Sequence, residues 1–330
     1  MKTQKLLFVV SFLIASSAGN AQDSTQTEKI QQILSAITGD TKMVLTGVGW
    51  FGFQAHLNRN DGTIPKNTFN DFGFSPMFLW KLSDNFFFES EIEIKNDGTA
   101  DNSAAFDLEF AKLSYRLNKY MTLGAGKMLS PFGAYNERWE PNHIEKFPNP
   151  PLRPDDGVLP DDTHFFWGAV MGVDVRGGVP LGSAKMNYVL YVSNGPVLNT
   201  EMGMGGMVQY ENWNDNNTNK EIGGRIGFLP LSNSSLEIGF SAKHGIAGNE
   251  GESLYKDIAA NAFAFDLSYI NSIEAIKSTI NFRGQFNSLS VTKANYQLTD
   301  STTYTFDNTM KSYFAQFTIR PSMATSRFLR

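Results

Sequence analysis

Phe86-Phe87-Phe88-Glu89-Ser90-Glu91-Ile92-Glu93-Ile94-Lys95 is the stretch that decides the fold. Its side chains alternate with a period of two, the period of a β-strand. Phe86, Phe88, Ser90, Ile92 and Ile94 fall on one face; Glu89, Glu91, Glu93 and Lys95 share the other with Phe87. Four charges facing a packed core would cost far more than burial of the other face returns, so the charged face must meet water. The apolar face must be covered by something apolar. A wall with a wet lumen on one side and lipid on the other satisfies both faces.

The same alternation recurs to the end of the chain. Ile276, Ile280 and Phe282 oppose Lys277, Thr279, Asn281, Arg283 and Gln285; Leu236, Ile238 and Phe240 oppose Glu237, Ser241 and Lys243. Met186, Tyr188, Leu190 and Val192 oppose Lys185 and Asn187, and Tyr313, Phe317 and Ile319 oppose Ser312, Gln316 and Arg320. About twelve such segments of about 8 to 12 residues can be traced, the length of a tilted spanning strand. The connections alternate between short ones, such as 83–85, 118–119 and 231–235, and long ones, such as 58–71, 129–163 and 193–220. Short periplasmic turns against long external loops is the asymmetry of outer-membrane barrels. The fold expected is all-β, an antiparallel transmembrane β-barrel. Residues 323–330 look like a turn entering another strand, so the complete chain is expected to hold about 14 to 16 strands. Two irregularities are expected. Pro76 should mark a bulge or a strand end, because it removes a ladder donor, and a slip of parity near Ala111 should mark a bulge.

The 330 residues are 41% hydrophobic with a mean hydropathy of −0.26, values that look soluble because only alternate residues of a barrel strand need be apolar. Residues 1–21 read as a secretory signal: Lys2 and Lys5, an apolar run from Leu6 to Ala15, then Gly19-Asn20-Ala21. That run is half of what a spanning helix needs, and no later run is longer, which leaves a barrel as the way to cross a bilayer. Residues 22–40 carry Ile30, Ile33, Leu34 and Ile37 at helical spacing, a short periplasmic helix, and residues 41–330 form the barrel. Cysteine is absent, which removes disulfides and thiolate chemistry. The formal charge of −5, less the two signal lysines, is −7, and it disfavours a nucleic-acid partner. The four histidines have no metal-ligand spacing, and no P-loop, dinucleotide fingerprint or G-x-S-x-G elbow is present.

Ala125-Gly126-Lys127-Met128-Leu129-Ser130-Pro131-Phe132-Gly133, together with Tyr191-Val192-Ser193-Asn194-Gly195-Pro196, resembles the strand-end patterns of the phosphate-selective porin (O and P type) superfamily, particularly its Bacteroidota members. The resemblance implies a porin barrel over residues 41–330. It does not carry the family's basic lumen cluster, for which no matching set of lysines is found.

The candidate pore-lining residues are Glu89, Glu91, Glu93, Lys95, Glu109, Lys127, Lys185, Arg225, Lys277 and Arg283, with Asp107 and Asp174 beside them. Their signs are mixed, so a transverse field and weak ion selectivity are expected rather than a single-sign ring. Any of them also has the alternative of pairing across strands and holding the wall. The 129–163 loop is long, rich in proline, and carries Arg138, Arg153, Asp155, Asp156, Asp161 and Asp162. It is expected to fold inward as a constriction, the alternative being an external lid. Its aspartates lack EF-hand spacing, and no metal or cofactor is assigned. Trp80, Phe86, Tyr120 and Trp167 are placed at strand ends on the lipid face.

The expected function is passive diffusion of small polar solutes or ions through the outer membrane of a Gram-negative bacterium, with lipid as the surrounding partner and a homotrimer as one possible assembly. Catalysis is not expected. The competing readings are an outer-membrane hydrolase using His143 or His164, and a binding or adhesion barrel without conductance. An active transporter would need a plug domain, for which the roughly twenty residues after the signal leave no room.

Overall fold

The computed structural model describes residues 43–54, 68–96, 104–139, 168–210 and 213–321. The signal at 1–21, the helix at 22–40, and Arg153, Asp155, Asp156, Asp161, Asp162, His143, His164 and Trp167 lie outside the described residues.

Twelve strands form one antiparallel sheet: β1 (Met43–Gln54), β2 (Thr68–Lys81), β3 (Phe86–Asn96), β4 (Ala104–Asn118), β5 (Met121–Leu129), β6 (Ala169–Leu181), β7 (Ala184–Asn194), β10 (Lys220–Leu229), β11 (Leu236–Ile246), β12 (Ala259–Ile273), β13 (Ser278–Val291) and β16 (Thr309–Pro321). Two hairpins stand apart from it in the long connections: β8 (Val197–Leu198) with β9 (Val208–Gln209), and β14 (Ala294–Thr299) with β15 (Thr302–Phe306). Within the sheet each strand pairs only with its neighbours in chain order, an up-and-down meander. Short turns join strands at one end, down to Lys119–Tyr120 and Gly182–Ser183, where Gly182 takes a φ of 66° that favours glycine. The strands that lead into the long connections end at the other side of the sheet.

The alternation read from the sequence is realised in three dimensions. Tyr313, Phe317, Ile319, Phe263, Phe265, Ile222, Ile226, Phe240, Leu190 and Val173 stand exposed on the outer face. The alternate positions turn inward and are buried although polar: Glu91, Lys112, Lys127, Asp174, Glu221, Arg225, Lys243, Asp266, Gln285 and Asn287. The apolar core lies between the inner face and the long connections, where Phe132, Tyr135, Trp139, Leu198, Val208, Tyr210, Leu289 and Tyr296 cluster on Ala260, Ala262 and Ala264 of β12. Three small residues at the inward positions of one strand leave room for the aromatic rings above them.

The sheet is curled. Ala134 lies five residues beyond the end of β5 yet donates its N–H to Gln285 of β13 at 2.9 Å, six ladder steps away in the sheet. Six steps at about 4.8 Å make about 29 Å along a flat sheet, whereas five extended residues reach about 17 Å. Even with the Gln285 side chain added, the chord is shorter than the arc. The described residues include no ladder between β1 and β16.

Three expectations need correction in position. β2 runs unbroken through Pro76, which neither ends the strand nor bulges it. Pro76 pairs in register with Gly47 of β1, and the pairing with β3 lapses at Ser75 and Pro76 and resumes in the same register. The bulge expected near Ala111 lies between Leu108 and Phe110, so Glu109 is the inserted residue. Lys277, expected on the lumen wall, sits exposed in the turn after the 3₁₀ segment Glu274–Ile276, at a φ of 47°, and β13 begins one residue later.

Candidate pore constriction

The chain leaving β5 does not go outward. Ser130–Trp139 crosses the inner face as a strap, ending in one π-helical turn at Tyr135–Trp139. Gly133 makes the change of direction with a φ of 72°. Its N–H donates to the Ser241 hydroxyl of β11 at 2.9 Å, and the N–H groups of Ala134 and Tyr135 both donate to the Gln285 Oε1 of β13 at 2.9 Å. A short irregular segment away from strands must find acceptors for its own N–H groups, and here the wall supplies them. Asn136, fully buried, closes the base of the strap by donating to the carbonyls of Ser130 at 3.1 Å and Gly168 at 2.8 Å. Tyr135 and Trp139 then meet Phe314 of β16 edge-on, with ring centroids 5.2 and 5.9 Å apart.

Two consecutive charges at the end of the strap pair in different directions. Glu137 accepts from Arg176 of β6 at 2.8 Å, and Arg176 also grips Asp174, which Lys112 of β4 meets at 2.7 Å. Arg138 meets Glu237 of β11 at 2.6 Å, and Arg225 of β10 bridges Glu237 at 3.0 Å to Asp266 of β12. The Arg225–Asp266 contact is bidentate, at 2.9 and 2.6 Å, the fork geometry that makes arginine effective against carboxylates. Asn187 fills the remaining space, donating to Glu237 at 3.0 Å and accepting from both arginines at 3.2 Å. Lys112, Arg138, Arg176 and Arg225 thus face Glu137, Asp174, Glu237 and Asp266, four cations against four anions. The network is balanced in charge on the inner face.

A third group lies nearer the long connections. Lys243 of β11 sits 3.9 Å from Glu221 of β10, 3.3 Å from the centroid of the Tyr210 ring and 5.0 Å from that of Phe132. Tyr191 donates to Glu221 at 2.9 Å. Burial, and then the Glu221 carboxylate, push the Tyr210 hydroxyl well above its ordinary range. The strap, the β8–β9 hairpin and the wall therefore meet on one lysine.

Of the residues singled out in the sequence, Glu89, Glu91, Glu93, Lys127, Arg225 and Arg283 stand on the inner face. Lys127 lies 3.8 Å from Asp107 and over the Trp213 ring, and Arg283 lies over Trp139 at 5.9 Å. Lys95 is exposed at the end of β3, paired with Glu93 at 2.6 Å, and Lys185 is exposed at the short-turn end, donating to Ser234 at 2.8 Å. Arg138 alone among the singled-out loop residues is described. Lys112, Arg176 and Asp266 were not singled out in the sequence, and Ser241 and Gln285 were read as polar-face positions of their strands but not as anchors. Nothing local marks a neutral glutamine on a strand as the acceptor for a segment about 150 residues away. Among the described residues no cluster of His, Cys, Asp or Glu has the geometry of a metal site.

No family model and no curated protein matches the sequence. Among solved structures, OmpT of Vibrio cholerae, described as an outer membrane protein in trimer form, is 9% identical over 83% of this chain and 87% of that one, with a TM-score of 0.30. Salmonella typhi OmpF in complex with daunomycin is 10% identical over 84% and 97%, with a TM-score of 0.33, and a mutant of the Rh. blastica porin is 11% identical over 84% and 99%, with a TM-score of 0.32. Similarity at that level leaves the assignment to the chain's own geometry.

Proposed function

We propose that the chain is an outer-membrane barrel forming a water-filled pore for passive diffusion of small polar solutes or ions, narrowed by the strap at Ser130–Trp139. The observation that carries the reading is the strap itself, anchored on the polar inner face of a sheet whose outer face is apolar. A soluble sheet with that outer face would need a second layer to cover it; in a bilayer, lipid does so. Closure of the sheet into a barrel belongs to the reading, because an open strand edge leaves backbone groups unsatisfied in hydrocarbon.

The constriction contributes little net charge, so weak ion selectivity follows. The likeness of residues 125–133 to phosphate-selective porins supports the porin class. Phosphate selectivity is not part of the reading, since the buried cations of the wall are each held by carboxylates. A Bacteroidota origin and a homotrimeric assembly accompany the resemblance as expectations, the second testable by light scattering in detergent. The reading includes no catalysis. Single-channel recording of the refolded chain in a planar bilayer tests it: steady conductance supports the pore, and insertion without conductance refutes it.

A further inference from the structure

Met202-Gly203-Met204-Gly205-Gly206-Met207 places three of the chain's 12 methionines in one turn, the loop of the β8–β9 hairpin. Methionine is among the side chains most often fully buried. Here Met202 is 49% and Met204 44% exposed, in a stretch where the other residues are glycines, so packing into a core does not account for them. One exposed methionine would need no explanation; a cluster of them in a polar connection does.

The turn is held in one shape. The Met204 N–H donates to the Glu201 carbonyl at 2.9 Å, the Gly206 N–H to the Asn199 carbonyl at 2.9 Å and the Asn199 N–H to the Met207 carbonyl at 2.8 Å. The Gly203 N–H donates to the Gln297 carbonyl of β14 at 2.9 Å, and the Tyr304 hydroxyl of β15 donates to the Gly205 carbonyl at 2.7 Å. Met204 and Met207 line one cavity of about 280 Å³ at this hairpin, and Glu201 lines it with them. Thr200, Asn249 and Asn199, which line it too, are engaged with protein groups. Thr200 at 3.1 Å and Asn249 at 2.8 Å both donate to the Glu252 carboxylate, and the Asn199 side-chain oxygen accepts the Glu201 N–H at 2.8 Å. What distinguishes the cavity is a pair of thioethers beside one carboxylate.

We propose that this turn binds Cu(I), held by the Met204 and Met207 sulfurs with Met202 as a third thioether from the same turn. Thioethers are soft, polarisable and uncharged. They select Cu(I) over calcium and magnesium, which take hard oxygen ligands. A filled d shell makes little geometric demand, so unbranched, flexible side chains can close on the ion. Glu201 supplies negative charge beside it, and the ordered backbone lowers the cost of assembling the ligands. The hairpin stands apart from the twelve-stranded sheet, so the site does not depend on whether the barrel conducts.

The test is titration of the full chain, refolded in nonionic detergent, with silver nitrate in chloride-free buffer, read by native mass spectrometry. Ag(I) shares the charge and softness of Cu(I) and does not change oxidation state in air. A single silver ion should be retained, and Cu(I) added under nitrogen should displace it. Loss of a merely supporting residue costs a metal site about tenfold to a hundredfold. Loss of both sulfurs in M204L/M207L, which conserves volume, should therefore weaken retention by more than about a hundredfold. With methyl-labelled methionine, the methyl resonances of Met202, Met204 and Met207 should move on addition of silver while those of the other methionines stay, a readout in the unaltered chain. Undiminished retention in M204L/M207L, unmoved resonances, or displacement of silver by calcium rather than by Cu(I) would each overturn the proposal.

Discussion

Replacing Gln285 with leucine should free the strap. The Gln285 Oε1 accepts both the Ala134 and the Tyr135 N–H at 2.9 Å, and the residue is 3% exposed, so no bulk water stands ready to replace it. Leucine fills a similar volume and offers no acceptor. A buried donor left without a partner costs about 1–3 kcal/mol, and two of them, with partial relaxation, about 3 kcal/mol. That is about a hundredfold shift in the equilibrium between docked and undocked strap. The remaining polar ties to the wall are the Ser241 bond and the pairs of Glu137 and Arg138, the latter partly exposed and worth about 1 kcal/mol or less each. The packing of Phe132, Tyr135 and Trp139 is what then holds the strap in place. The pore of Q285L should flicker between the parental conductance and a larger one, and trypsin should reach Arg138 faster. Q285E keeps an acceptor for both N–H groups and should remain quiet. Parental conductance, noise and proteolysis in Q285L would refute the assignment of the strap as a docked constriction.

Removing Arg225 as R225M strands the fully buried Asp266 and should lower stability by about 3–5 kcal/mol in urea titrations, with much of the loss recovered in R225M/D266L; no recovery would mean that the pair does more than balance charge. Leu190, outward in the middle of β7, should tolerate arginine poorly, L190R costing about 2–4 kcal/mol in vesicle-folding titrations, whereas L181R at the end of β6 costs about 1 kcal/mol or less. Equal costs would contradict a lipid-facing surface. The aromatic cluster around Tyr296 should loosen in alkali. Burial, then Tyr255 and Tyr304, push Tyr296 up to about 12, so the folded form stays neutral while the unfolded chain ionises from about pH 10. Its contribution is fully present below pH 10 and lost as the pH rises to about 12, which protease access to residues 294–306 would follow; loosening already complete below pH 10 would contradict it.

The strands were legible because a sheet with one apolar and one polar face imposes period two on nearly every segment, and residues such as Phe86 to Lys95 carry it without ambiguity. Lys277 was misplaced for the same reason. The alternation continues into Ile276 and Lys277, but the chain there turns through a 3₁₀ segment, and parity cannot separate a turn from a strand end. Glu109 shows the complementary limit: a bulge is visible as a change of parity, yet its position is uncertain by the few residues over which both parities fit. Of the loop expected to fold inward, the described part, 130–139, runs over the inner face, and nothing in the sequence marks its anchors. Lys112 and Asp174 lie on β4 and β6 with β5 between them, and Gln285 lies six strands along the sheet from β5 yet accepts the Ala134 N–H at 2.9 Å. Such contacts depend on curvature, which alternation along one strand does not encode.

Single-channel conductance of the full-length refolded chain, with the reversal potential taken under a salt gradient, tests the central claim most directly. The account predicts steady, nanosiemens-scale steps with a reversal potential near zero, as a water-filled lumen with a charge-balanced constriction requires. Insertion into the bilayer with no conductance, or a reversal potential close to that of a purely anion- or cation-selective pore, would contradict it.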